Sequence, residues 1–375
     1  MKKIGFCVLL ICLTNVAFAF QPSKKQPNVI LIIADDQGWG DLSMHKNPYI
    51  ETPNFDKMTE AGAQFERFFV SPLCAPTRAS LLTGRYHLRT GTVSVSKGLE
   101  VMNTEETTLV DLCGLTSVKT LPLDGISLVK QLLENPDERL DRTLFTHVNP
   151  NDKELTSQPS GLRNNQYRLV IQKDKTELYD MIADPSQSKD ITAEKPEITA
   201  ALLKQYQNWF NNVSKEVKLN RPISIVGDEI RLPAYESQFS GALKYKEGHG
   251  WVHDWLLNWT SPKDTIQWTV DVSDAALYEV VLEYTCSKGQ TGSVVELSMG
   301  NQKTQNTLTK TNSNEMIVSP DRVPRKEVYE KRSWSKQKIG KIQLQKGIHQ
   351  LVLTAPSVKT GEVAEFNAVI LKKTN

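Results

Sequence analysis

The 375 residues carry no strong charge of one sign: 45 lysines and arginines stand against 43 aspartates and glutamates, for a formal net charge of +2. That balance excludes a protein held to its partner by a basic surface, and so excludes nucleic acid as an expected partner. Cysteine is scarce. Of five in all, Cys7 and Cys12 lie in an N-terminal apolar stretch, which leaves Cys74, Cys113 and Cys286. Three cysteines are not a disulfide framework, and an odd count marks one of them for a chemical task. The sequence also lacks an apolar run of the ~18 residues needed to span a bilayer. Its six histidines show no metal-ligand spacing, and the nearest approach to one, His249 with His253, reads as a pair of exposed or satisfied rings.

What is present begins with Lys2 and Lys3, an apolar run from Ile4 to Leu13, and Ala17-Phe18-Ala19. This is the charged, apolar, small-residue order of a secretory signal peptide, with cleavage expected after Ala19. Its removal takes away both lysines and brings the formal charge from +2 to zero. A secreted or periplasmic location follows, with no membrane anchor once the signal is cut.

A second apolar run, Asn28 to Ala34, has the length and uniform apolarity of a strand buried on both faces of a parallel sheet. Asp35 and Asp36 end it, at the position where open α/β sheets hold their ligands. Their hard carboxylate oxygens suit calcium or magnesium rather than zinc or copper, although adjacent acids after a strand are also what a solvated turn contains. Thr52 and Pro53 open a helix with Phe55, Met58 and Ala61 on one face and Gly62 as its stop. Phe65 to Val70 reads as the next strand. Then come Cys74, Pro76 and Arg78, with Pro76 starting a helix that Gly84 ends.

Cys74, Pro76 and Arg78 match a Cys-x-Pro-x-Arg motif, and the match runs on through Leu81, Leu82, Thr83, Gly84 and Arg85. With Asp35 and Asp36 upstream, the chain resembles the type I sulfatases, arylsulfatase-like enzymes that hydrolyse sulfate esters. The resemblance implies an alkaline-phosphatase-like α/β fold and a formylglycine made from Cys74 by a formylglycine-generating enzyme that reads Cys74, Pro76 and Arg78. One hydroxyl of the hydrated aldehyde would attack sulfur, and deprotonation of the other would collapse the adduct and expel sulfate. Arg78 would hold that hydrate by a charge-assisted hydrogen bond. Asp35, Asp36 and the modified Cys74 would bind calcium, with magnesium as the alternative. Arg85 lies near the site or caps the helix.

The resemblance also implies residues that are missing. In the family a Glu-Thr-Thr-Leu segment leads on to a Lys-Trp-His motif, a later Asp-Asn pair of metal ligands, and a further lysine and histidine near the sulfate. Here Glu106-Thr107-Thr108-Leu109 runs straight into Val110-Asp111-Leu112 and Leu123-Asp124-Gly125, which are similar to a region well past that centre. The join has the look of an internal deletion. Without the lysine and histidine no acid serves the leaving alcohol, and general acid catalysis is typically worth ~10²–10⁴ in rate. Beyond the join, Arg163 to Ile171 and Glu177 to Asp180 read as paired strands. Asp184-Pro185 reads as a turn, and Pro196 to Asn211 as a helix carrying Ile198, Leu202, Tyr206, Trp209 and Phe210.

From about Arg221 the pattern alternates at period two: Ile266 to Val272, Tyr278 to Tyr284, Val295 to Met299, His349 to Leu353 and Phe366 to Ile370. Short alternating strands between polar turns predict an all-β sandwich or jelly roll. The Trp251 to Trp259 cluster and the closing Phe366 to Leu371 run resemble carbohydrate-binding modules. The expected organisation is a signal peptide over 1–19, a truncated sulfatase domain over 20–219 in two pieces (28–109 and 110–213), and a β-sandwich over 220–375. The expected function is a secreted sulfuric ester hydrolase acting on sulfated glycan, impaired by the missing centre. A non-catalytic glycan-binding protein and an inactive truncated product are the alternatives.

Overall fold

The structure, a computed structural model, describes residues 30–65, 68–109, 121–128, 134, 140–150, 152–312 and 334–374. The expected signal peptide, Cys7, Cys12, Cys113 and the join at Val110 lie outside these residues. The chain divides into two compact units, Met1–Phe55 and Asp56–Asn375.

In the first unit local polar contacts do the organising. Single turns of 3-10 helix at Trp39–Asp41 and Ser43–His45 are joined by the Trp39 ring stacked on His45, with centroids 3.8 Å apart. Ser43 and Thr52 exchange bonds: the Ser43 N–H donates to Thr52 Oγ1 at 3.0 Å and the Thr52 N–H to Ser43 Oγ at 2.9 Å. No described residue of this unit is buried. The run Ile30 to Ala34 is not a strand, and Ile30 and Ile32 are 86% and 69% exposed. The expectation of a doubly buried strand is therefore corrected. A strand exists by pairing, and over its described residues this run pairs with no other strand. The described residues of the run from Phe65 to Val70 likewise form no strand.

Helix α1 (Pro53–Ala61) starts at the predicted proline and stops before Gly62, but its expected core face is bare, with Phe55 41% and Met58 60% exposed. Helix α2 (Cys74–Thr83) begins two residues earlier than predicted and ends at Gly84, whose φ of 68° is the left-handed cap that glycine takes at least cost.

Strands β1 (Leu144–His147), β2 (Ser160–Arg163), β3 (Tyr167–Gln172) and β4 (Lys175–Asp180) form an antiparallel sheet in sequence order. Helix α3 (Pro196–Val213) covers it with Leu202, Tyr206, Trp209 and Val213 buried, close to the face its periodicity predicts. Leu88, Val93 and Leu99 from before the join enter the same core as Leu169 and Leu178 from after it. The two pieces of the N-terminal region thus share one hydrophobic centre.

The remaining strands build two facing sheets. One runs β13 (Gln302–Thr307), β12 (Val294–Met299), β15 (Gly347–Ser357), β10 (Thr265–Val272), β5 (Ile223–Ile225), with β7 (Gln238–Ser240) also on β10. The other runs β14 (Ser335–Leu344), β11 (Ala276–Thr285), β16 (Glu365–Lys373), β9 (Leu256–Leu257), β8 (Lys244–Tyr245), with β6 (Glu229–Pro233) on β16. Every alternating run named from sequence lies in one of these strands. Trp259 and Trp268 are each 1% exposed between the sheets, so most of the predicted tryptophan surface is core; Trp251 alone of Trp251, Trp255 and Trp259 is substantially exposed.

Candidate active site

Leu73 is extended (φ −125°, ψ 146°) and the chain turns into α2 at Cys74. The turn is held by the Thr77 hydroxyl, which donates to Ser71 O at 2.9 Å and Leu73 O at 2.8 Å. Pro76 and Ala79 face inward and are buried, whereas Cys74 and Arg78 are exposed. Four residues apart on a helix, Cys74 and Arg78 share one face, one turn above the other. Cys74 also stands in the first turn, where unpaired backbone N–H groups favour negative charge.

Asp35 and Asp36 are exposed in a bend of the first unit, and Asp36 has a left-handed φ of 54°. They belong to a different compact unit from Cys74 and Arg78. Among the described residues no three or more His, Cys, Asp or Glu side chains gather as they would around a metal ion. Two carboxylates against the roughly six to eight oxygens that calcium takes are not a site, so the donors present do not fit a resident calcium.

Arg85 has a structural task. It is 6% exposed, pairs with Glu106, which is 2% exposed, and its second terminal nitrogen donates to Glu216 at 3.2 Å. Next to it Arg89 Nε reaches both oxygens of Asp124 at 3.1 and 3.0 Å, and the same carboxylate accepts the Tyr86 N–H at 2.9 Å. Arg85, Arg89 and Glu106 precede the join; Asp124 and Glu216 follow it. The segment just after the cysteine helix therefore clamps the two pieces together rather than presenting a cation to a substrate.

Of the six histidines, read from sequence as satisfied or exposed, His87 and His147 are buried, each with a backbone partner. His87 Nδ1 lies 2.7 Å from Thr92 O and His147 Nε2 lies 2.7 Å from Thr156 O, with the rings 5.8 Å apart. Burial lowers the pKa of His87 to about 4 and lowers that of His147 as well. Their partners are backbone carbonyls, which leave no mark in a sequence.

Residues 27–116 match the family model described as Sulfatase. That segment is similar to the sulfatases. Over 84 residues it is 44% identical to N-acetylgalactosamine-6-sulfatase of Sus scrofa, an alignment covering 22% of this chain and 16% of the relative. Arylsulfatase G of Mus musculus is 39% identical over 127 residues, covering 29% of this chain and 24% of the relative. The chain thus spans about a sixth to a quarter of the length of these curated relatives. Among solved structures, the C-terminal CBM6 of LamC from Zobellia galactanivorans is similar over 39% of this chain and 100% of its own length, at 10% identity and a TM-score of 0.28. A family 35 carbohydrate binding module from Clostridium thermocellum gives 39%, 98%, 10% and 0.27. At such scores the ground for calling the C-terminal half a sandwich is its own pair of sheets.

Proposed function

We propose that the chain is a secreted sulfuric ester hydrolase of the formylglycine type, directed at sulfated carbohydrate and strongly impaired in turnover. The observation that carries the reading is the Cys-x-Pro-x-Arg motif at the start of a helix, with Cys74 and Arg78 on one exposed face. In this reading residues 1–19 are the signal peptide, 20–219 the sulfatase-derived domain and 220–375 a carbohydrate-directed sandwich. Cys74 is the residue modified and Arg78 orients its product.

Impairment follows from what the chain's own residues supply. With Arg85 consumed in an ion pair and His87 and His147 buried on backbone partners, none of the three is placed to protonate a departing alcohol. A turnover at least about a thousandfold below an intact relative corresponds to roughly 4 kcal/mol, which one lost proton donor commonly accounts for. Two measurements test the proposal. Co-expression with a formylglycine-generating enzyme should convert Cys74 to the aldehyde, seen as a lighter Cys74 peptide by mass spectrometry. Hydrolysis of an aryl sulfate should be barely above the Cys74→Ala control and should not recover with millimolar calcium. An unmodified thiol would sink the formylglycine reading, and ordinary Cys74-dependent turnover would sink the impairment. The reading of the chain as a non-catalytic glycan-binding protein is favoured by the lack of gathered cation donors among the described residues, and it predicts an unmodified Cys74 together with retained glycan affinity.

A further inference from the structure

The N-terminal region touches the sandwich along a seam made by the loop that begins at Ser96. Ser96 forms a bridge with Trp251, and the Lys97 N–H donates to Gly250 O at 2.8 Å. The approach is close. A Cβ on Gly250 would stand 2.9 Å from Lys97 Cγ, and one on Gly98 would stand 3.2 Å from Glu236 Cγ. On its other side the loop is rooted by Leu99, buried in the same core as Leu88 and Val93. Apolar packing therefore fixes the loop to the N-terminal region, while polar contacts hold it to the sandwich.

Two carboxyl groups meet at this seam. Glu100 comes from the loop, and Glu236 from the single turn that follows β6. Both carboxylate oxygens of Glu100 are buried, and neither makes a well-formed hydrogen bond among the described residues. Arg221, in the link between the two regions, acts on both acids and on Glu105 as well, and it donates to Asn103 Oδ1 at 3.3 Å. One guanidinium cannot match all of these carboxylates. Arg231, the other cation facing Glu236, is tied to Glu283 at 3.0 Å.

The charge balance shows in the acids themselves. Burial, and with it the field of Glu236, pushes Glu100 up to about 7 against the pull of its own and the Gly98 N–H groups and of Arg221. Burial raises Glu236 too, against Arg221 and Arg231. The remaining titratable groups facing the pair are Tyr235 and Tyr245, both raised by burial and so neutral at ordinary pH. Beyond Tyr245 lie Asp254 and the Lys97–Asp152 pair at 2.5 Å, and Lys153 and Lys218 line the groove alongside.

We propose that this seam is a proton-controlled latch between the N-terminal region and the sandwich. With Glu100 and Glu236 protonated the loop stays docked. With both ionised, a buried negative charge is left without a cation to match it, and the loop lifts from Gly250 and Trp251 while Leu99 keeps its place. The direction follows from linkage: a carboxyl more easily protonated when docked than when free favours docking below its free pKa, and that advantage is lost as pH rises through the docked value. With 4.5 for the free Glu100 and about 7 for the docked one, docking should weaken at least about tenfold between pH 5.5 and 8. The latch does not depend on whether Cys74 is modified or sulfate esters are cleaved.

The test is hydrogen exchange read by mass spectrometry on the full chain at pH 5.5 and 8, with rates corrected for the intrinsic effect of pH. The Lys97 amide, bonded to Gly250 O when the loop is docked, should lose protection at least about tenfold at the higher pH, whereas β11 in the middle of the sandwich should keep its own. Glu100→Gln, which is neutral at both pH values, should hold the Lys97 amide equally protected throughout. Glu236→Gln removes the opposing charge and should shrink the loss severalfold, so it decides the matter if Glu100→Gln fails to fold. Constant protection in the unmutated chain overturns the latch, as does a full loss in either glutamine variant. An equal loss in β11 overturns it as well, because the event would then be unfolding of the whole rather than opening of the seam.

Discussion

Arg85 shows how far a side chain's role depends on partners remote in sequence. Its place just after the cysteine helix suits a substrate cation as well as a helix cap, and what decides between them is Glu216, 131 residues away. Removing the guanidinium would leave Glu106, itself 2% exposed, as a buried charge with its cation gone. Breaking such a pair from one side commonly costs about 3–5 kcal/mol. Arg85→Ala should therefore lower the urea midpoint sharply, whereas Lys175→Ala, which removes a 62% exposed lysine from its surface pair with Glu177, should leave it nearly where it is. Equal midpoints for the two variants would show that the clamp across the join contributes nothing. The cysteine motif, by contrast, is legible because its residues are contiguous and need no distant partner to be recognised.

At the scale of elements, the runs read correctly are those whose partners are also in the chain. β10, β11, β12, β15 and β16 alternate in sequence and find one another, and α3 finds the sheet it covers. Asn28 to Ala34 has an equally clear pattern and forms no strand over its described residues, because apolarity specifies that a segment be covered without supplying the cover. Local backbone demands were readable at Gly84 but not at Gly340. Gly340 has a φ of 143° at the bulge where β14 passes Val280 and Val281, and a Cβ there would sit 2.0 Å from Thr304 Oγ1. Gly84→Ala should cost about 1 kcal/mol, the usual penalty for a non-glycine residue in the left-handed cap. Gly340→Ala adds overpacking to backbone strain and should cost about 2–4 kcal/mol. Thermal melting of both variants checks the order, and a smaller loss at Gly340 would mean that β13 yields easily.

At the scale of the whole molecule, the buried titratable groups set opposing pH dependences. His87 falls from 6.5 to about 4 on folding, so its contribution is fully present above pH 6.5 and is lost as pH drops toward 4; His147 acts in the same direction. Glu100 rises from 4.5 to about 7, so its contribution is present below pH 4.5 and is lost as pH climbs toward 7; Glu236 acts in that direction. Between pH 4.5 and 6.5 the unfolded chain holds the His87 proton that the folded chain lacks, and the folded chain holds the Glu100 proton that the unfolded chain lacks. Each contributes a slope of about 1.4 kcal/mol per pH unit, with opposite sign. Stability across that window should be nearly flat in the unmutated protein. Glu100→Gln should uncover the histidine term and lose about 3 kcal/mol on acidification from pH 6.5 to 4, while His87→Gln should uncover the glutamate term and lose a similar amount on raising the pH from 4.5 to 7. Denaturant titrations of the three proteins across pH 4 to 7 decide it: parallel profiles would mean that water reaches Glu100 and His87 and that neither is held in its uncharged form by the fold.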